Sequence, residues 1–479
     1  MSQTTTAPGD GATTTAAPAI MQVPEVRRLV LSVGVSALGS AMVAVAMAFV
    51  AYRESRSVVL TVLVLGANAV PALILSPIVG KLATGRDPRT VEVIGEIAKI
   101  VLSLSLMVVA LGGWLIYPVL LIANVLNGTV SALIAPAWPR LVRMSAPEGR
   151  LAEVTASIGS MGSVAAIVGA LTGGMVVTMV GTPTVFAINA ISYVPLLFAM
   201  RMVPGPAPVS RKVKGTVRAG IEVVRRTDTL RRAFVLAAML NLAAWPVLSI
   251  LPAVANDIDA RAHVLGILTG AFYAGAAAVT WAVVRLRRRF QYGTILFVGF
   301  LGAGLLLCAN AALTAWRSPG YDAVFVACLT LLPIGLAIAL DSSLLQALVP
   351  LGTKAEDQAP VLVVYATVTT IVTPIGGLLI GAVADELSLW GALGVCGLLI
   401  TVLALSLHSP LKVFDEIGTA PAGRPEHSVH HPRLHLVHFL NCDAPGSLSA
   451  LFHVTHHGDV HDDAAPRADH IEQPQRAIA

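Results

Sequence analysis

The stretch RMVPGPAPVSRKVKGTVRAGIEVVRRTDTLRR, residues 201–232, decides the fold. It is rich in Arg and Lys and parts two long apolar tracts of similar size. Upstream, PRLVRMSAPEGR (139–150) is also basic, and apolar runs at about 153–180 and 183–202 lie between the two. No Lys or Arg falls between those runs, around 181–183. Two apolar runs of helix length, with cationic loops at one end and none at the other, read as a hairpin through a bilayer. Its basic loops are expected in the cytoplasm.

The pattern repeats outward. Apolar runs at about 29–51, 58–80, 91–111 and 114–136 precede the hairpin. Others follow at about 232–254, 263–284, 293–315, 321–348, 359–383 and 388–409. Twelve runs, six on each side of the basic segment, predict an all-α membrane protein with twelve transmembrane helices in two six-helix halves. Extended strands are excluded because an open sheet edge cannot be satisfied in lipid. Lys81, Arg86 and Arg89 follow the second run, and Arg285, Arg287, Arg288 and Arg289 the eighth, whereas the third, fifth and eleventh are followed by no base. Arg53 and Arg56 after the first run are exceptions, offset in part by Glu54, and Arg261 and Arg317 follow the seventh and ninth. Both termini are therefore expected in the cytoplasm of a multi-pass protein of the cell membrane. The expected organisation is a disordered lead over 1–26, a first half over 27–202, a basic linker over 203–231, a second half over 232–410 and a His-rich disordered tail over 411–479.

Composition agrees. With 56% hydrophobic and 12% charged residues and a mean hydropathy of +0.78, the chain is too apolar to surround a soluble core with a polar shell. The formal charge is +5, and the acid-rich tail means that the remainder is more positive still. That charge suits orientation in an anionic bilayer better than a nucleic acid partner. Cys308, Cys328 and Cys396 lie inside apolar runs and Cys442 in the tail, which suggests no disulfide framework. The first 26 residues lack the basic start and short apolar core of a cleaved leader. A Gly-x-x-x-x-Gly-Lys-Ser/Thr loop is missing, as are Gly-x-Ser-x-Gly and His-Glu-x-x-His, so ATP energy and hydrolytic catalysis are not indicated. No enzyme activity and no cofactor are expected.

Ionisable groups inside a membrane run are costly and so mark functional candidates. Glu92, Glu96 and Lys99 open the third run and share one helical stripe, with Glu96 able to pair with Lys99 at i, i+3. They read either as a solvated pair at the interface or as a proton-coupling site. Asp341 sits about two-thirds along the tenth run with no charge partner in its own helix, and should face the bundle interior. Coupling or substrate contact is one role; a structural hydrogen bond to another helix is the other. Asn68, Asn124, Asn127 and Asn241, with Trp245 and Tyr273, are candidates for lining a cavity near the midplane. Amides with few fixed charges suit a neutral or amphipathic substrate; interhelical hydrogen bonding is the alternative. Ten of the twelve histidines lie in the tail, where His453, His457 and His461 fall at i, i+4, i+8. The tail reads as a weak divalent-metal site on one helical face, or as a solvated segment without a specific ligand.

Local motifs carry a family resemblance. Gly80-Lys81-Leu82-Ala83-Thr84-Gly85-Arg86-Asp87-Pro88-Arg89 resembles the loop motif between the second and third helices of the major facilitator superfamily. Gly169-Ala170-Leu171-Thr172-Gly173-Gly174 resembles that superfamily's Gly-Pro-x-x-Gly-Gly exporter motif. Ala135-Pro136-Ala137 through Arg150-Leu151-Ala152, and Gly220-Ile221-Glu222-Val223-Val224-Arg225-Arg226, are similar to the branch of siderophore exporters and macrolide-efflux proteins. The resemblance spans about 27–410. It implies a monomeric secondary transporter whose halves rock around a small-molecule site. Gly80, Asp87, Arg89, Gly169, Gly173, Gly174, Pro374 and Gly376 would serve gating and close packing. Thr84 stands where the loop motif has its acid, Ala170 where the exporter motif has Pro, and Asn124 where the superfamily often has an intramembrane Arg. The expected function is proton-coupled efflux of a small hydrophobic or amphipathic compound, drug- or siderophore-like. The alternative is a membrane sensor or scaffold that kept the fold, lost transport and responds to metal through its tail.

Overall fold

Each apolar run becomes a helix because a backbone in lipid must satisfy its own hydrogen bonds. The computed structural model describes residues 19–75, 86–203, 217–315, 321–351, 353 and 357–406. Among these residues, twelve helices are long and apolar enough to cross a membrane. In the first half they are α1 (Pro24–Ser55), α2 (Val58–Leu75), α3 (Pro88–Leu111), α4 (Tyr117–Ile134), α5 (Leu151–Met179) and α6 (Thr182–Arg201). In the second they are α7 (Asp228–Asp259), α8 (Ala262–Arg287), α9 (Tyr292–Leu313), α10 (Ala323–Val349), α11 (Pro360–Glu386) and α12 (Leu389–Ser406).

Several ends run past the hydropathy limits. Helix α1 starts at Pro24 and continues through Arg53 and Glu54, expected as loop residues, whose side chains pair at 3.8 Å. Asp87 caps α3, accepting from the Arg89 amide at 3.0 Å ahead of Pro88. Two segments expected as basic loop are partly helical. Trp138–Ser145 forms a short helix after α4, and Val217–Arg226 a second before α7, with Glu222 and Arg226 paired across one turn.

Four spans are interrupted: α2 at 67–69, α6 at Tyr193, α7 at 244–246 and α8 at Ala278. In α7 the cause is local. Pro246 has no N–H to return to the Leu242 carbonyl, and Gly376 of α11 lies so close that a Cβ there would be 2.1 Å from that oxygen.

Successive helices alternate in direction, so α1 begins and α12 finishes at the same end of the bundle, the near end. The halves touch toward the opposite, far end. There Gly174 of α5 packs on α8, where a Cβ would lie 2.5 Å from the Ala262 carbonyl, and the His263 amide donates to Thr178 Oγ1 at 3.0 Å. In lipid, association rests on such close packing of small residues rather than on apolar burial. Within the first half, Gly169 and Gly173 of α5 abut α1 at Leu38 and Met42. The apolar interior of the second half is one large cluster reaching Val45, Val58, Val62 and Ala170 of the first. The first half divides its own interior among four smaller clusters.

Candidate functional site

The broken helices α2 and α7 each carry polar groups next to the α2–α11 seam. In the α2 turn, Asn68 Oδ1 accepts from Asn127 Nδ2 of α4 at 3.2 Å, and the Asn68 carbonyl lies against Gly128. In α7, Asn241 Oδ1 accepts from the Thr373 hydroxyl of α11 at 2.9 Å, and Trp245 Nε1 donates to Ser342 Oγ of α10 at 3.0 Å. Trp245 meets Phe272 edge-on at 6.0 Å between ring centroids, and Phe272 meets Tyr273 at 5.9 Å, both on α8. A Cβ on Gly66, two residues before Asn68, would lie 3.4 Å from Pro374, the residue after Thr373. The Asn68–Asn127 pair belongs to the first half and the Asn241–Thr373 pair to the second, each next to the α2–α11 seam. Asn124 turns back, donating to its own helix at the Leu120 carbonyl at 3.0 Å. The grouping offers amides, hydroxyls and aromatic faces, a set suited to orienting a largely apolar small molecule.

The acids lie elsewhere. Glu92 and Glu96 are 3% and 2% exposed, so they are inside the first half rather than solvated at its surface. Lys99 Nζ donates to Glu96 Oε1 at 2.9 Å and sits 5.6 Å from the centre of the Tyr193 ring of α6. The stripe continues as Ser103, whose Oγ accepts from Asn189 Nδ2 at 2.9 Å, and Ser40 of α1 bonds Tyr193 OH at 3.2 Å. Glu92 Oε1, Glu96 Oε2 and Asn189 Oδ1 are buried without a hydrogen-bond partner. Asp341 of α10 is fully buried in the second half, and among the described residues neither of its oxygens has a partner. It faces α9, where a Cβ on Gly299 would lie 2.1 Å from Oδ1. Its neighbour Ser342 points toward Trp245. The acid is therefore beside the polar grouping rather than in it.

Sequence reasoning missed Ser342 and Thr373, and the chain Ser40–Tyr193–Asn189–Ser103. Asn189 and Tyr193 at i, i+4 in an otherwise apolar run are the available signal for that chain. It also missed Asp385, which joins the halves at the far end. Gly80 and the tail histidines His453, His457 and His461 lie outside the described residues, as does most of the loop motif.

Comparison with known proteins follows the same lines. No curated protein matches the chain by sequence. A bacterial homologue of the iron transporter ferroportin, solved inward-facing, is 15% identical with a TM-score of 0.63, covering 80% of this chain and 98% of that one. A bacterial homologue of the human lysosomal transporter Spinster, also inward-facing, is 12% identical with a TM-score of 0.60 over 84% and 98%. A D-xylose–proton symporter is 14% identical with a TM-score of 0.59 over 80% and 96%. At these identities the likeness is one of fold. The model of the transmembrane secretion effector family matches residues 13–437. The chain is a membrane transporter of the major facilitator superfamily and belongs to its transmembrane secretion effector family.

Proposed function

We propose that this transporter is a secondary active exporter of small hydrophobic or amphipathic compounds, drug- or siderophore-like, that works by alternating access. The observation that carries the proposal is that each half sets a polar pair, Asn68–Asn127 in the first and Asn241–Thr373 in the second, next to the α2–α11 seam at Gly66 and Pro374. A site built from both halves changes its access when the halves rock. Its uncharged lining favours a neutral or amphipathic guest. The family's description as a secretion effector supports outward movement.

The near end is assigned to the cytoplasm and the far end to the exterior of the plasma membrane, on the strength of the loop charges. The transporter acts as a monomer, with its halves bounded at 27–202 and 232–410 and the basic linker 203–231 between them. Protons are the coupling ion in this reading. Asp341 is the principal carboxyl, because its charge is deeply buried with no base in its own helix. Glu96, Glu92 and Lys99 form the secondary group. The direct test uses purified protein in liposomes with an imposed pH gradient and a panel of lipophilic dyes and siderophores. Uphill movement of at least one compound is expected. A protein that moves nothing under any gradient is a sensor or scaffold instead.

A further inference from the structure

We propose that Asp385 of α11 is a releasable latch that holds the far end shut by capping α2 across the boundary between halves. The proposal rests on the alternating-access reading above. The first four amides of a helix have no partner within it, and at the start of α2 each finds one outside. Val58 N–H donates to Asp385 Oδ1 at 2.8 Å and Val59 N–H to Asp385 Oδ2 at 3.2 Å. Leu60 N–H donates to Ser57 Oγ at 3.2 Å, and the N-cap amide, Ser57 N–H, to Ser55 Oγ at 3.4 Å. The Ser57 hydroxyl itself donates to Asp385 Oδ2. A helix of the first half thus takes two of its four caps from an acid of the second. The carboxylate also faces the positive end of the helix dipole, where negative charge is favoured.

Two further features fit a latch. Gly381, one turn before Asp385, brings α11 so near that a Cβ there would be 3.1 Å from the Val59 nitrogen. Arg56, held in the left-handed region at φ 54°, directs its guanidinium to Asn256 Oδ1 of α7 at 3.0 Å. Both Asp385 and the Ser57 hydroxyl–carboxylate contact are reached by solvent, so water can take over the freed amides and the contact can open and close. Were the halves to part at the far end, Val58 and Val59 would lose their acceptors together. The other far-end contact, α5 on α8, is made chiefly of glycine packing and carries no charge at its His263–Thr178 hydrogen bond. The latch, with the Arg56–Asn256 hydrogen bond beside it, is therefore the charged, directional part of the closure.

Amide hydrogen exchange on the full chain in lipid nanodiscs tests this without any substrate. In Asp385→Ala, exchange at Val58 and Val59 should rise about tenfold. Exchange over 262–270, on the far-end contact that Asp385 does not touch, should rise with it because the halves separate as bodies. Asp385→Asn should give a smaller rise at both places, and Ser57→Ala a rise of about fivefold at residues 58–60. A rise confined to 57–61 with 262–270 unchanged would reduce Asp385 to a local cap and overturn the latch, as would no change in either segment. If Asp385→Ala does not yield folded protein, Ser57→Ala and Asp385→Asn are judged on the same two segments. A protein that shows the paired response yet transports nothing would keep the latch and remove the exporter.

Discussion

Inside the first half, α3 lays Lys99 and Ser103 against α6, which in turn bonds α1; a base answers one acid, and hydroxyls and an amide continue the stripe. Inside the second half, Asp341 stands without a partner at the edge of the largest apolar cluster. Two acids with a cation form a network whose parts compensate each other. One acid with none is an uncompensated cost, and such costs persist where function requires them. The comparison teaches that the halves, alike in topology, divide the work. The first half pairs one of its two buried acids with a base, and the second buries one acid with none.

The largest expected effect follows from that asymmetry. Asp341→Asn should abolish uphill export while leaving substrate binding largely intact, and it should change fold stability by no more than about 1 kcal/mol, because the amide that replaces the carboxyl is itself buried without partners. Substrate movement in vesicles with an imposed pH gradient, binding to the purified variant and thermal denaturation read the three parts. Normal gradient-driven transport would remove Asp341 from the mechanism and leave the α3 acids as the coupling group.

Lys99 tests the other half. Lys99→Met leaves Glu96 buried without its base, and breaking a buried pair from one side costs about 3–5 kcal/mol. Adding Glu96→Gln should return most of that stability, since the charge left behind is gone. A thermodynamic cycle over the two single variants and the double variant measures the coupling. If the two losses simply add, the 2.9 Å contact contributes little and the first half is not balanced in the way described.

What the sequence disclosed divides along the same physical line. Hydropathy reports the length and order of apolar runs, so twelve helices in two halves were legible, as were the rotation of Glu92, Glu96 and Lys99 onto one stripe and the burial of Asp341. It does not report which helix a given face meets. The pairing of Ser57 with Asp385 joins residues 328 apart, and nothing in either local stretch announces the other. The α2 break at 67–69 did have a local signal, since Pro71 has no N–H to return to the Ala67 carbonyl, but the packing of Asn68 on α4 had none. Trp245 was legible as a cavity residue, while Ser342, the group it bonds, looked like one of two serines beside an acid.

The smallest expected effect separates Glu92 from Glu96. Both face inward on α3, but Lys99 is three residues from Glu96 and seven from Glu92, about 10 Å along the axis at 1.5 Å per residue. Glu96 therefore owns the short ion pair, and its replacement by Gln should shift the pH dependence of transport. Glu92 stands one turn nearer the near end and contributes like charge to Glu96 at i, i+4. Removing that charge should stabilise the helix by about 0.2–0.5 kcal/mol, and Glu92→Gln should transport at close to the parent rate with its pH profile little moved. Rates across a pH series in liposomes, alongside thermal denaturation, distinguish the two variants. A Glu92→Gln protein that loses pH dependence as fully as Glu96→Gln would mean that the two acids act as one proton-sharing unit. The balance in the first half would then belong to all three residues and not to the Glu96–Lys99 pair.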